Sequence, residues 1–172
     1  MSMYTDLARN AVEYYIRNGE FMPLPDDLPA EFFNERAGVF VTIKKKGELR
    51  ACVGTDLPVR NNLAGEIVCN AVTAATDDHR FGSVEDDELP YLSYEVSVLS
   101  SLEPVEDIGE LDPLKYGLLV RGNSGKSAVL LPDLEGIDDG MQQMRVVCNK
   151  AGIDPEREEM SLYRFSVKRY VE

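Results

Sequence analysis

Histidines, paired cysteines and long apolar runs are what this sequence has least of, and each shortage removes a class of function. The three cysteines, Cys52, Cys69 and Cys148, are widely spaced and form no C-x-x-C pair. That excludes a zinc knuckle and a disulfide framework, and a reducing, cytoplasmic setting is expected. A single histidine, His79, and the lack of any G-x-S-x-G leave no Ser-His hydrolase to assemble. No apolar stretch approaches the roughly 18 residues that span a bilayer. The first residues carry no basic segment, apolar block and cleavage site of the secretory kind. Basic side chains are also scarce: 18 Lys and Arg stand against 31 Asp and Glu, a formal charge of −13 over 172 residues. An acidic surface without a basic stripe repels phosphate backbones and anionic lipid, so neither nucleic acid nor membrane is an expected partner.

What is present reads as ordinary globular sequence, 44% apolar and 28% charged. Leu7, Ala8, Ala11, Val12, Tyr15 and Ile16 share one helical face, with Thr5 as cap and Gly19 as terminator. Pro23, Pro25 and Pro29 impose an extended strap, and Phe32 and Phe33 anchor a short turn or helix after it. Runs from Val39 to Ile43 and from Leu49 to Gly54, separated by a lysine-rich, glycine-containing turn, predict a β-hairpin. A long helix follows to about Thr76, its apolar face running from Leu63 to Ala75, with Glu66, Asn70 and Asp77 expected on the exposed side. The alternation from Leu92 to Leu99 predicts a strand whose polar face carries Glu95 and Ser97. A second hairpin around Gly122 to Lys126, a helix from about Asp138 to Ala151 and a strand from Tyr163 to Tyr170 complete the chain. Hairpins dominate over crossovers, so the expected class is α+β with antiparallel sheets.

Several motifs fail their tests. Gly125-Lys126-Ser127 has Val120 where a phosphate loop needs its first glycine, and a strand follows it, so it is a hairpin turn. Glu85-Asp86-Asp87-Glu88 lacks the spacing of a calcium loop. No metal and no cofactor is expected.

One strand has unusual chemistry. In Leu49-Arg50-Ala51-Cys52-Val53-Gly54-Thr55, the residues Arg50, Cys52 and Gly54 share one face, so a guanidinium and a thiol stand beside a residue without a side chain. A nearby cation favours thiolate, and a glycine leaves room for a bound group. An edge arginine beside a half-buried structural cysteine satisfies the same pattern.

This stretch resembles the Leu-Arg-Gly-Cys-Ile-Gly-Thr signature of the AMMECR family, named after the Alport syndrome, midface hypoplasia and elliptocytosis chromosomal region. Asp78-His79-Arg80-Phe81 resembles the family's Asp-Pro-Arg-Phe. Tyr94 to Ser100, Val129 to Pro132 and Cys148 to Gly152 are similar to further blocks in the same order. Ala51, Val53 and His79 are departures. The resemblance implies one domain over 1–172 built as two lobes with a cleft between them. A large lobe is expected at 1–102 plus 161–172 and a small lobe at 103–160. Prokaryotic members are called protein A of the AmmeMemoRadiSam system, which implies a Memo-like protein and a radical S-adenosylmethionine enzyme as partners.

The expected ligand site is therefore Arg50, Gly54, Thr55, Asp78, Arg80, Phe81, Glu95 and Ser97, with Cys52 as the candidate catalytic residue. Two functions stay open. One is a binding or accessory module whose cleft receives a protein segment or a sizeable small molecule. The other is an enzyme using Cys52 as nucleophile or redox thiol, activated by Arg50 and oriented by Glu95 or His79. Between Asp77 and Asp112 one basic residue, Arg80, faces 12 acidic ones. That makes Arg80 the expected ion-pair anchor and Arg50 the expected cation for an anionic ligand.

Overall fold

The computed structural model describes residues 2–172. It contains four α-helices, α1 (Met3–Asn18), α2 (Ala30–Asn34), α3 (Leu63–Asp77) and α4 (Gly140–Ala151), and two short 3-10 helices at Asp86–Tyr91 and Ile108–Glu110. Its eight strands are β1 (Val39–Lys45), β2 (Glu48–Thr55), β3 (Leu92–Leu99), β4 (Glu103–Val105), β5 (Gly117–Gly122), β6 (Ser127–Leu130), β7 (Met160–Phe165) and β8 (Val167–Val171). One sheet has the order β2-β1-β3-β8 and the other β4-β7-β5-β6. β1 pairs antiparallel with β2 and β3, and β7 pairs antiparallel with β4 and β5. The chain is α+β, as the hairpin-rich pattern requires.

Two compact units result: Met1–Val98 with Lys168–Glu172, and Leu99–Val167. The second is wider than the expected 103–160 because β7 pairs wholly within it. The single strand expected from Tyr163 to Tyr170 is in fact two, broken at Ser166 and assigned to different sheets. Periodicity alone misses such a break, because the alternation of Tyr163, Phe165 and Val167 with Arg164, Ser166 and Lys168 runs across it.

In the first unit, α1 and α3 pack against one face of the sheet. Ala8, Ala11 and Val12 of α1 meet Ile67 and Ala71 of α3 and Val39, Val41, Ile43 and Ala51 of the hairpin in one buried cluster. Small alanines let helix and sheet approach closely, and burying such a cluster is the main stabilising term. α1 begins at Ser2 rather than at Thr5. Ser2 accepts from the Thr5 amide and Thr5 reaches back to it, a capping box, while Gly19 at φ 75° ends the helix. The strap after α1 packs Met22, Leu24 and Leu28 on this core. Phe32 is buried and Phe33 exposed.

The correction with most bearing on function concerns α3. Glu66 and Asn70, expected on the exposed side, are buried, at 1% and 6% exposure. Glu66 accepts hydrogen bonds from Thr55 Oγ1 (2.7 Å) and from the amides of Val59 (2.9 Å) and Arg60 (2.7 Å). Asn70 donates to the Val39 carbonyl at 2.9 Å and to Thr55 Oγ1 at 3.2 Å. The polar stripe of α3 thus faces the sheet's end and supplies what the backbone there lacks, and the half-exposed stripe is Gly65, Cys69 and Thr73. In the second unit, Leu118, Val120, Val147 and Ile153 form a separate core beneath α4.

Candidate functional site

β2 is an edge strand, so alternate backbone groups point away from β1 and need partners. At Cys52 both are supplied by the segment after α3. The Cys52 amide donates to Asp78 Oδ2 at 2.9 Å, and its carbonyl accepts from Arg80 Nη2 at 3.0 Å. Asp78 and Arg80 are joined in turn by two parallel bonds, Nε to Oδ1 at 3.0 Å and Nη2 to Oδ2 at 2.7 Å. The Arg80 amide adds a third at 3.2 Å. Hydrogen bonds from Arg80, helped by the backbone amides, hold the Asp78 carboxyl far below the usual range against the opposing effect of burial. The Arg80 side chain is 48% exposed and Asp78 only 3%. The guanidinium lies 5.5 Å from the centre of the Phe81 ring, and among the described residues its Nη1 has no hydrogen-bond partner.

The Cys52 side chain lies on the sheet face opposite α3. Its Sγ is 3.1 Å from Thr42 Oγ1, and register aligns Cys52, Thr42 and Glu95 across three strands. Glu95 closes the row with ion pairs to Lys44 at 3.3 Å and Arg169 at 3.1 Å. Burial pushes the Cys52 thiol up, and the charges of Asp78 and Glu95 push the same way. The Thr42 hydrogen bond and the Arg80 charge oppose them without prevailing. A thiol in this setting is protonated at neutral pH and is a poor nucleophile.

The structure gathers Cys52, Asp78, Arg80 and Phe81 directly and Glu95 through Thr42. Arg50 makes no hydrogen bond to any of them, although the Asp78 charge reaches it. Arg50 donates to Glu88 through Nε (3.0 Å) and Nη2 (2.9 Å) and to the carbonyls of Gly82 and Ser83, and its side chain is only 15% exposed. Arg80 is an ion-pair anchor as expected, on Asp78, whereas Arg50, expected to be the cation with fewer acidic partners, is itself paired with Glu88 and is the more buried of the two. Sequence proximity to acids misleads here because Glu88, 38 residues away, folds back onto Arg50.

Three other positions have local structural roles. A Cβ at Gly54 would meet the Phe40 ring at 2.3 Å and the Val39 carbonyl oxygen at 2.5 Å, so the glycine makes room for Phe40 rather than for a ligand. Thr55 is engaged by Glu66 and Asn70, and Ser97 is buried at 1% exposure opposite Phe40. His79 is exposed, away from any role as base to Cys52 that a hydrogen bond would mark. Thr42, Lys44 and Arg169 are the site residues that sequence reading missed. The only signal for Thr42 was its place on the half-exposed face of β1.

No group of three or more His, Cys, Asp and Glu side chains among the described residues is arranged to hold a metal ion. No helix among them is long and apolar enough to cross a membrane. The three cysteines are free.

Comparison with known proteins adds to this geometry. The family model described as AMMECR1 matches residues 5–170. A protein of Thermotoga maritima is 45% identical over 168 residues, covering 97% of this chain and 96% of its own. A protein of Clostridium acetobutylicum is 39% identical over 170 residues, 98% of this chain but only 36% of that protein, so the chain spans about a third of it. The crystal structure of an uncharacterized protein from Pyrococcus horikoshii superposes with a TM-score of 0.90 at 31% identity, covering 98% of this chain and 89% of that one.

Proposed function

The chain belongs to the AMMECR1 family, and from that premise we propose that it is a binding or accessory module rather than a thiol enzyme. Its contact surface is the polar face of the first unit's sheet, centred on Arg80. The observation that carries this reading is the half-exposed Arg80 guanidinium, fixed by Asp78 and the Cys52 carbonyl with one nitrogen left over. A guanidinium held in place from behind loses little conformational freedom on binding, so it suits a carboxylate, phosphate or carbonyl group of a ligand. Cys52 and Thr42 line the surface beside it, and Glu95 with Lys44 and Arg169 supplies the polar rim.

The enzyme alternative has less support. The thiol is shifted towards its protonated form, Arg50 is spent on Glu88, and Glu95 is committed to two cations. None of these groups is placed to take the Cys52 proton.

The partners proposed are a Memo-like protein and a radical S-adenosylmethionine enzyme from the same organism. Mixing each purified partner with this chain and following co-elution by size exclusion tests the reading. Wild-type protein co-elutes, Arg80→Gln weakens association by about tenfold or more, and Cys52→Ala leaves it within about twofold. Absence of association with both partners overturns the partner assignment. Association that Arg80→Gln leaves intact overturns the site.

A further inference from the structure

On the outer side of α3, the side turned away from the sheet, a groove of about 220 Å3 is lined by Phe21, Arg60, Gly65, Val68 and Cys69. Its floor is apolar: Val68 is nearly buried, Gly65 has no side chain and Cys69 is half-buried. Phe21, 53% exposed, forms a wall. Arg60 is the one charged residue lining it.

Arg60 differs from every other arginine of the first unit. Arg9, Arg17, Arg50, Arg80 and Arg169 are ion-paired, and Arg36 donates to backbone carbonyls. Arg60 alone among them has no side-chain hydrogen bond or ion pair within the described residues. Its backbone, by contrast, is firmly held. The amide donates to buried Glu66 Oε2 at 2.7 Å and the carbonyl accepts from Arg36 Nε at 3.1 Å. The neighbouring Val59 amide reaches the same Glu66 oxygen at 2.9 Å. A buried carboxylate and a second arginine thus fix the backbone that carries a guanidinium with no partner of its own among the described residues, in a chain where acids outnumber bases by 31 to 18.

We propose that this groove binds a small organic monocarboxylate. Arg60 takes the carboxylate through its planar fork of N–H donors, and a single ring or branched aliphatic body lies on Val68, Gly65 and Cys69 against Phe21. Size and charge both fit. A cavity of roughly 150 Å3 holds benzene, so this groove admits one such ring with a carboxylate attached. A single unpaired guanidinium complements a monoanion, and no second cation lines the groove to balance a phosphate ester. The site is separate from the Arg80 surface, since α3 packs on the opposite face of the sheet from the Cys52 side chain.

Cys69 in the floor makes the proposal measurable on the intact protein. Phenylacetate and its uncharged counterpart phenylacetamide are titrated against alkylation by N-ethylmaleimide, with the Cys69 and Cys52 peptides followed separately by mass spectrometry. Phenylacetate protects Cys69 saturably and leaves Cys52 unaffected, while phenylacetamide protects about tenfold less well. Arg60→Gln abolishes the preference for the acid with no loss of thermal stability, and Arg60→Lys retains part of it. Phe21→Ala weakens protection by both probes, and Arg80→Gln changes neither. Equal protection by acid and amide, an unaltered preference in Arg60→Gln, or no protection at millimolar probe each overturns the assignment.

Discussion

Two arginines on the outer side of β2 use the same pairing and end in different states. Arg50 grips Glu88 with Nε and Nη2 at 3.0 and 2.9 Å, and Arg80 grips Asp78 with the same two nitrogens at 3.0 and 2.7 Å. Yet the Arg50 side chain is 15% exposed and that of Arg80 48%. The difference lies in the remaining donors. Arg50 gives its Nη1 and a second bond from Nη2 to the carbonyls of Gly82 and Ser83, so it staples the loop that follows α3. Arg80 gives one bond to the Cys52 carbonyl and keeps Nη1 for something else. A guanidinium whose three nitrogens all donate within the protein is scaffold. One held by a carboxylate but with a donor facing solvent is preorganised for binding.

The sharpest way to break this contrast is to remove each cation in turn. Arg50→Gln leaves Glu88 with Lys45 as its remaining cationic partner and strips hydrogen bonds from two loop carbonyls, at a cost of about 3 kcal/mol. Arg80→Gln costs about 1 kcal/mol, because Asp78 keeps two backbone amides and the lost side chain was half in water. Urea unfolding of the two variants measures both. Equal losses would show that Arg80 is scaffold as well.

A smaller effect separates the two carboxylates by pH. Arg50, with help from Lys45 and the Glu85 amide, pulls the Glu88 carboxyl down to about 2. Its folded value lies below its unfolded one, so the stability it contributes is complete above the unfolded value of about 4.3 and is lost as pH falls towards 2. Glu88→Gln therefore removes about 2 kcal/mol of the acid-dependent loss over that interval. Asp78 is held lower still, so in Glu88→Gln its own contribution to the acid dependence persists at the bottom of the range. Stability measured at stepped pH in wild type and variant decides this. An unchanged pH profile would mean that the Glu88 pair carries no net stability.

Much of the fold was legible because helices and hairpins announce themselves locally. The apolar spacing of α1, the Lys46-Gly47 turn with both residues at positive φ, and the alternation of β3 through Val96 all follow from neighbouring residues. The errors share one cause, which is that the deciding partner is distant in sequence. Glu66 and Asn70 look solvent-facing until Thr55 and the loop amides arrive beneath them. Ser97 alternates as polar yet is buried, and Gly54 reads as open space until the Phe40 ring fills it. Cys52 was legible as a candidate because a thiol shares a strand face with an arginine and a glycine, and the Asp78 to Phe81 turn because it resembles the family's Asp-Pro-Arg-Phe. Which arginine stayed available was not, since Glu88 reaches Arg50 only through the folded loop.

The smallest effect tests the contrast at the thiol itself. Burial and the charges of Asp78 and Glu95 raise the Cys52 thiol, while the Thr42 hydrogen bond and the Arg80 charge lower it, and Arg50 is not among the principal groups acting on it. Alkylation of the Cys52 peptide, followed against pH by mass spectrometry, therefore has its midpoint above the ordinary thiol value of about 8.5. Arg80→Gln moves that midpoint further up, since it removes the nearby cation and leaves the Asp78 charge less compensated. Arg50→Gln, in the fraction that remains folded, leaves it where it was. A larger shift from Arg50→Gln than from Arg80→Gln would place the wrong arginine beside the thiol. A midpoint below the ordinary value would restore the thiolate chemistry that the geometry argues against. With the expected order of shifts, Arg80 is the cation that shares its electrostatic field with Cys52, and the pair forms one surface rather than two independent features of an edge strand.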